Sequence, residues 1–189
     1  MRIKRNCLTL IIDYQERLMP ILQDREKFIS NSVFFIKGLK VLNIPMLTTE
    51  QYPKGLGKTV EPVQNAMGGS MEVYEKTEFS CCDNLEIMEK IKSFDREFVI
   101  LAGAETHVCM LQTALDLMAN DFIPVVISDC TASSSRFEKE SALSRLRSDG
   151  AVITTAESIL FELCRKSGTQ EFKELSRLVK ERQKQDPAS

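Results

Sequence analysis

The chain has 189 residues, a formal net charge of −2 and a hydrophobic content of 43%. These values are typical of a globular protein with a sizeable core, most simply one domain over residues 1–189. The basic residues are scattered along the chain, so no positive surface for nucleic acid is predicted. No apolar run approaches the roughly 20 residues that span a bilayer, which disfavours a membrane protein.

The first residues and the cysteines bear on the compartment. The apolar run that follows Arg5 is too short for the hydrophobic region of a signal peptide. None of the six cysteines belongs to a Cys-x-x-Cys pair, and most lie in apolar runs, which favours free thiols over a disulfide scaffold. We therefore predict a cytoplasmic protein, and mitochondrial import by an internal signal stays an open alternative.

In chain order, apolar runs rich in β-branched residues alternate with segments of helical period. Strands are predicted at 7–13, 44–50, 71–76, 98–104, 123–129 and 151–155, and helices at 25–43, 107–121 and 136–150. The helix at 136–150 closes on Gly150, a common helix stop. Continuous apolar strands separated by helices predict a three-layer α/β fold with a six-stranded, mostly parallel sheet. Residues 179–189 are polar and predict a frayed, solvated tail.

Polar residues follow three of the predicted strands. Asp13 ends the first strand, residues 48–51 end the second, and "GAETHVC" at 103–109 follows the strand at 98–104. In open parallel sheets, ligands bind beyond the carboxyl ends of the strands, where such loops converge. The sequence therefore predicts the functional site at this edge of the sheet.

The residues present exclude two kinds of site, a phosphate-binding loop and a zinc site. The segment "YPKGLGKT" at 52–59 ends like a phosphate loop, but Tyr52 stands where the first glycine is required. A zinc site needs three or four clustered donors, whereas the chain has one histidine and no such cysteine cluster. We therefore predict neither a bound metal nor a cofactor, and we interpret the adjacent Cys81 and Cys82 as packing residues.

The segment 103–109 contains a candidate nucleophile. Residues two apart on a helix do not face each other, so we interpret His107 as structural, orienting the turn or meeting a substrate. A cysteine in the first turn of a helix gains from the positive helix terminus, and we expect a lowered pKa for Cys109. Asp13 is placed to take its proton and Lys76 to stabilise the anion. Each residue also has an ordinary alternative: a packed cysteine, a helix-capping carboxylate and a solvated lysine.

Four segments together resemble the isochorismatase-like cysteine hydrolase superfamily. They are "LIIDYQ" (10–15), "EKTEFSCC" (75–82), "GAETHVCMLQTALDLM" (103–118) and "AVITTAESILFELC" (151–164). The stretch "TEQYPKGLG" (49–57) is similar to the metal-independent, isochorismatase domain-containing branch. The resemblance implies a catalytic triad of Asp13, Lys76 and Cys109. It also implies a cis peptide bond between Ala104 and Glu105, which would turn the N–H of Cys109 toward an oxyanion.

The activity that the resemblance implies is acyl transfer from a small amide or ester through a thioester on Cys109, without a metal. Nicotinamidases of the superfamily bind a metal through histidines after the second strand, where this chain has Thr49 to Tyr52, so that activity is disfavoured. True isochorismatases lack the nucleophilic cysteine, so hydrolysis of a vinyl ether is disfavoured too. The alternative is a binding or scaffolding protein that keeps the fold and turns over little. A ribonuclease is a weaker alternative, because the composition predicts no basic groove.

Other residues around the predicted site are assigned by position. Gln15, Leu18, Tyr52 and Phe79 are candidates for the walls of a substrate pocket, although core packing is an equal alternative for Leu18 and Phe79. The resemblance also implies a homo-oligomer, with the apolar "ESILFELC" at 157–164 as a candidate subunit contact. The predicted partners are thus a small-molecule substrate and further copies of the chain, with neither nucleic acid nor membrane.

Overall fold

The computed structural model describes residues 1–68 and 72–185, and this part of the chain contains one sheet of six strands. The strands are β1 Cys7–Ile12, β2 Met46–Gln51, β3 Val73–Lys76, β4 Phe98–Ala104, β5 Ile123–Ala132 and β6 Val152–Thr154. Their spatial order is β3-β2-β1-β4-β5-β6, and neighbouring strands run parallel. The predicted three-layer α/β class with a six-stranded sheet is therefore confirmed, and the sheet is parallel throughout.

Helices connect the strands and cover both faces of the sheet. They are α1 Arg25–Val41, α2 Pro53–Leu56, α3 Glu61–Met67, α4 Leu85–Ser93, α5 Leu111–Ala119, α6 Arg136–Asp149, α7 Ala156–Cys164 and α8 Gln170–Gln185. A single turn of π-helix, Thr106–Met110, joins β4 to α5. Within the described ranges, no helix combines the length and the apolar character that a membrane crossing requires.

Successive residues of the strands pack on opposite faces of the sheet. In β1, Ile11 packs in one apolar cluster with residues of α1, α7 and α8. Its neighbours Leu10 and Ile12 pack in a second cluster with residues of α4, α5 and α6. Successive strand side chains point to opposite faces, so a strand that is apolar at every position must be covered on both. Each buried Leu or Ile contributes about 1.5–3 kcal/mol of hydrophobic free energy.

All six predicted strands occur, with shifted ends. Met71, the first residue of the strand predicted at 71–76, lies outside the described residues. Strand β5 continues past the predicted end at 129, because its pairing with β4 resumes after an irregularity: Leu101 pairs with Val126, and Gly103 pairs with Thr131. The sequence predicts the end of the strand at the polar Asp129, which lies in the part of β5 between these two pairs. As a result, the chain that leaves β5 lies beside the chain that leaves β4.

The prediction of a frayed tail over residues 179–189 is wrong as far as residue 185, where α8 ends, and residues 186–189 lie outside the described part. Helix α8 is amphipathic: Leu175 and Leu178 are buried in the cluster that contains α1. Arg182 pairs with Glu157 and lies 4.2 Å from the ring centroid of Phe34. Long basic side chains cover apolar surface with their stems, so a polar sequence docks here as a helix.

The segment predicted as a subunit contact, 157–164, is used inside the chain instead. It forms most of α7, and Ile159, Leu160 and Leu163 are buried against the core, with α1 and α8 as neighbours. Thr155 caps the start of the helix: its hydroxyl accepts a hydrogen bond from the backbone N–H of Ser158. The apolar face that suggested an interface is thus covered by the chain's own helices.

Candidate active site

Asp13 lies at the carboxyl end of β1, in the middle of the sheet, and is fully buried. Its backbone has a φ of 55°, a left-handed conformation that Asp and Asn adopt more readily than most residues. The Thr49 hydroxyl donates to Oδ1 at 2.7 Å, and the Lys76 ammonium donates to Oδ2 at 2.8 Å. Both carboxylate oxygens are therefore held by donors from neighbouring strands.

Lys76 ends β3, and β2 separates it from β1. Its Nζ contacts Asp13 at 2.8 Å, the Gln51 side-chain oxygen at 2.7 Å, and the carbonyls of Glu78 and Phe79 at 3.3 and 3.2 Å. The side chain is completely buried. Burial disfavours the ammonium, but the interactions with Asp13 and with the sulfurs of Cys81 and Cys109 together outweigh this effect, and the pKa of Lys76 is raised. The lysine is a fixed cation beside Asp13.

Cys109 lies in the π-turn before α5 and is 6% exposed. Its thiol interacts with the Asp13 carboxylate. Burial and the negative charge of Asp13 raise the pKa of Cys109, and Lys76 offsets this only in part. The expectation of a lowered pKa is therefore wrong: the helix terminus does not compensate for desolvation and for a carboxylate in contact. The resting residue is a thiol.

Asp13, Lys76 and Cys109, which we call the Asp-Lys-Cys cluster, are thus in mutual reach although 96 residues separate the first from the last. The thiol faces a carboxylate that can accept its proton. The same carboxylate is held in place by a cation that stays charged. A buried carboxylate, an ammonium and a thiol can together deliver a thiolate at the moment when an electrophile arrives.

The side chain of His107 forms a hydrogen bond with Ser133, not with Cys109. Its Nδ1 lies 3.1 Å from the hydroxyl of Ser133, on the segment that leaves β5. The histidine is half-buried, whereas Ser133 is buried. A Cys-His pair is therefore not formed, and the histidine joins two chain segments.

The peptide bond between Ala104 and Glu105 is cis. After it, the Glu105 carbonyl accepts hydrogen bonds from the backbone N–H groups of Val108 and Met110, at 3.1 and 3.3 Å. The Glu105 side chain accepts one from the backbone N–H of Ser134, at 2.9 Å. That the N–H of Cys109 serves an oxyanion stays a prediction.

Two of the four predicted pocket residues lie at the end of β1. Gln15 is fully buried, and both ends of its amide bond to backbone: Nε2 to the carbonyls of Gln51 and Gly57, and Oε1 to the N–H of Gln51. The amide of Gln15 thus ties loops together, and a role of this residue in the pocket wall stays a prediction. Leu18 is half-buried, and its role stays a prediction.

The other two, Tyr52 and Phe79, are each 54% exposed. Tyr52 lines a cavity of about 290 Å³ together with Lys76, Thr77 and Asn84. Phe79 contributes its carbonyl to the ammonium of Lys76. Large aromatic side chains that stay exposed beside a buried charged site are suited to contact a ligand.

Cys81 and Cys82 differ in their relation to the cluster. Cys81 is fully buried, and its backbone N–H donates to the Thr113 hydroxyl at 2.9 Å. It lies close enough to the cluster that Lys76 lowers the pKa of its thiol and Asp13 raises it. Cys82 is half-buried and contacts the carbonyl of Thr113. Both thiols are free, as the packing interpretation requires. Within residues 1–68 and 72–185, no group of three or more His, Cys, Asp or Glu side chains could hold a metal.

Two residues of the site were not assigned individually from the sequence. Thr49 and Gln51 are two residues apart on β2, so their side chains point to the same face of the sheet. There Thr49 bonds to Asp13, and Gln51 bonds to Lys76. Gln51 also donates from Nε2 to the carbonyl of Thr77, which fixes its oxygen toward the ammonium. The signal was present in the polar end of β2, but only the strand order shows that β2 lies between β1 and β3.

A three-layer α/β fold with a six-stranded parallel sheet is the fold of isochorismatase-like proteins. The Isochorismatase domain matches residues 7–158, and the chain belongs to this family. The chain is 34% identical over 179 residues to isochorismatase family protein 1A of Dictyostelium discoideum, covering 93% of this chain and 86% of that protein. It is 36% identical over 173 residues to isochorismatase domain-containing protein 1 of Danio rerio, covering 89% of this chain but only 59% of that longer protein.

Among solved structures, the chain is similar to the MAR1 ribonuclease of Caenorhabditis elegans. The TM-score is 0.88 and the sequence identity 32%, covering 95% of this chain and 92% of that one. The likeness over nearly the full length of both chains supports the same arrangement of sheet and helices.

The buried thiols predict that the protein loses stability in alkali. Burial raises the pKa of Cys81 from 9.0 to about 11, and that of Cys130 well above its usual value. A raised folded-state pKa means that the stability is fully present below the unfolded pKa and is lost as pH rises through the folded one. Urea midpoints should therefore fall between pH 9 and 11. The slope should be shallower in Cys130→Ala, and an equal slope would contradict the assignment.

Proposed function

We propose that the protein is a cysteine hydrolase that transfers the acyl group of a small amide or ester to Cys109 and then to water. The observation that supports it is the interaction of the Cys109 thiol with the carboxylate of Asp13, which also binds the ammonium of Lys76. Family membership supports a hydrolase, and the roles of the three residues and the bond cleaved are the proposal.

In the proposed mechanism, the carboxylate of Asp13 accepts the thiol proton as sulfur attacks the carbonyl carbon. Because the resting thiol has a raised pKa, proton transfer and attack are coupled rather than sequential. Backbone N–H groups near Cys109 stabilise the oxyanion, at about 3 kcal/mol per donor in related chemistry. The carbon–nitrogen or carbon–oxygen bond then breaks, and Asp13 returns the proton to the amine or alcohol. Water then attacks the thioester carbon and gives a proton to Asp13. The carbon–sulfur bond breaks to release the acid, and Asp13 returns the proton to the Cys109 sulfur.

Lys76 has an electrostatic role in this sequence. Its ammonium stays charged throughout, because its pKa is raised. It pairs with the Asp13 carboxylate at the start and compensates the negative charge that passes to sulfur. The four acceptors around Nζ leave the ammonium little freedom to move, so the carboxylate keeps its orientation toward the thiol.

The exposed rings of Tyr52 and Phe79 and the cavity beside Lys76, of about 290 Å³, favour a small substrate with an apolar part. We also infer, as the family resemblance suggests, a cytoplasmic homo-oligomer. Light scattering of the purified protein would measure the oligomeric state, and a monomer at micromolar concentration would contradict it.

The test combines turnover with detection of the intermediate. Ammonia or alcohol release is measured on a panel of small amides and esters, and the acyl-enzyme is sought by intact mass after acid quench. Cys109→Ala should lower turnover by roughly 10³-fold or more and abolish the adduct. The matched control is Cys82→Ala, which removes a half-buried thiol outside the Asp-Lys-Cys cluster and should keep turnover.

Two outcomes would replace the proposal. If no substrate gives turnover or an adduct, a binding or scaffolding protein becomes the better interpretation. Cleavage of RNA that persists in Cys109→Ala would instead indicate a ribonuclease, the activity named for the similar structure from C. elegans. The net charge of −2 offers little attraction for an RNA backbone.

A further inference from the structure

The segment that leaves β5 contacts the π-turn of Cys109 at three consecutive residues. The contacts are Glu105 Oε1 with the N–H of Ser134 at 2.9 Å, Thr106 Oγ1 with the carbonyl of Ala132 at 3.0 Å, and His107 Nδ1 with the hydroxyl of Ser133 at 3.1 Å. We call residues 132–134 the brace. It continues the attachment of β4 to β5 past the last paired residues of the sheet, Ala104 and Ala132.

The brace is itself anchored on its other side. The backbone N–H of Gln23, in the loop before α1, donates to the carbonyl of Ser133 at 3.0 Å. The Gln23 side chain donates to the carbonyl of Ser134 at 3.3 Å. The brace therefore lies between the β1–α1 loop and the turn of Cys109, and Ser133 and Thr106 are buried.

We propose that Ser133 and His107 are positioning residues that set the orientation of Cys109 toward Asp13. This inference rests on the proposed function. Cys109 lies two residues after His107 in the same turn, so a rotation of the turn about the histidine moves the thiol relative to the carboxylate. In this role, His107 acts through its hydrogen bond with Ser133.

The geometry of the turn explains why such a contact is needed. Single π-turns are rare and poorly stabilised by themselves, and they persist where their surroundings hold them. A displacement of about 1 Å of a reacting group can cost two orders of magnitude in rate. Of the three brace contacts, only that of His107 with Ser133 joins two side chains. A substitution can therefore remove it without leaving a backbone N–H or carbonyl group unpaired.

The first test compares two serines of the same loop. Ser133→Ala removes the hydroxyl that meets His107, whereas Ser135→Ala removes one that makes no capping bond to α6. The rate constant for iodoacetamide labelling of Cys109 is measured in the native protein by mass spectrometry. Ser133→Ala should lower it by about three- to tenfold, the range for one lost hydrogen bond. Ser135→Ala should leave it within experimental error.

The second test is rescue at the histidine. Asn has polar atoms at about the distance of Nδ1 from the backbone, whereas Leu has none. His107→Leu should reduce labelling as Ser133→Ala does, and the double variant should be no slower than either single one. His107→Asn should recover at least half of the rate. With a substrate, the loss should fall on kcat, and KM should stay constant.

The outcomes separate this inference from the function on which it rests. Normal labelling and kcat in Ser133→Ala and His107→Leu would overturn the positioning role and leave the hydrolase intact. An unchanged kcat in an Asp13→Asn variant would instead contradict the function. Urea midpoints are measured for each variant. A loss of kcat that simply follows lost stability, with no rescue by His107→Asn, would also overturn the positioning role.

Discussion

Replacement of Lys76 by methionine is expected to destabilise the protein by about 3–5 kcal/mol, the cost of breaking a buried ion pair. The change leaves the Asp13 carboxylate in a site where neither side chain of the pair has any exposed surface. Urea unfolding at neutral pH measures the loss.

The controls separate a buried charge from a lost contact. Asp13→Asn keeps a residue type that tolerates the φ of 55° and leaves the ammonium unpaired. The double variant removes both charges, and it should be more stable than the sum of the single changes predicts, by about 1 kcal/mol or more. Arg136→Met breaks an exposed pair with Glu140 and should not shift the midpoint. Full additivity of the two buried changes would contradict the pairing.

The second large effect is expected at Gly103, which precedes the turn by a few residues. A Cβ at this position would lie 2.1 Å from the carbonyl oxygen of Ile12, an atom of the neighbouring strand that has no room to yield. The φ of 151° is also unfavourable for a side chain. Gly103→Ala should therefore cost about 3 kcal/mol or more, and it should separate Asp13 from Cys109. Urea midpoints and labelling of Cys109 measure the two consequences.

Gly150→Ala is the matched control, because it shares the positive φ but not the crowding. Gly150 ends α6 with a φ of 111°, and a Cβ there would meet no atom within 4 Å. It should cost about 1–2 kcal/mol, from backbone strain alone. If both alanine variants are equally stable, the close approach of β1 and β4 is not what requires glycine.

The strands, the class of fold and the edge that holds the site follow from local patterns. Continuous apolar runs can be read without knowing their neighbours, since a strand covered on both faces needs no polar position. Asp13 and Cys109 could be selected because each follows such a run. Their partners Thr49 and Gln51 could not be assigned roles, because a strand's pattern shows its faces but not which strand lies beside it.

The pKa of Cys109 shows the same limit. From the sequence, a cysteine at a helix start predicts a thiolate, because only the helix terminus is visible locally. In the folded chain, burial and the Asp13 carboxylate outweigh that effect and keep the thiol protonated. The prediction of a frayed tail was wrong for a related reason. A polar segment forms a docked helix when its few apolar residues can pack against the rest of the protein, and no local pattern in the sequence shows that surface.

By itself, the sequence determined a parallel α/β protein, its family and a candidate nucleophile, because burial patterns and motifs are written in short stretches of chain. Only the tertiary structure decided the electrostatics of that nucleophile and the role of His107. Both depend on contacts between residues far apart in sequence: the carboxylate of Asp13 and the hydroxyl of Ser133 reach the turn from different strands. The free energy of a charge or a hydrogen bond depends on its surroundings, and the surroundings exist only after folding.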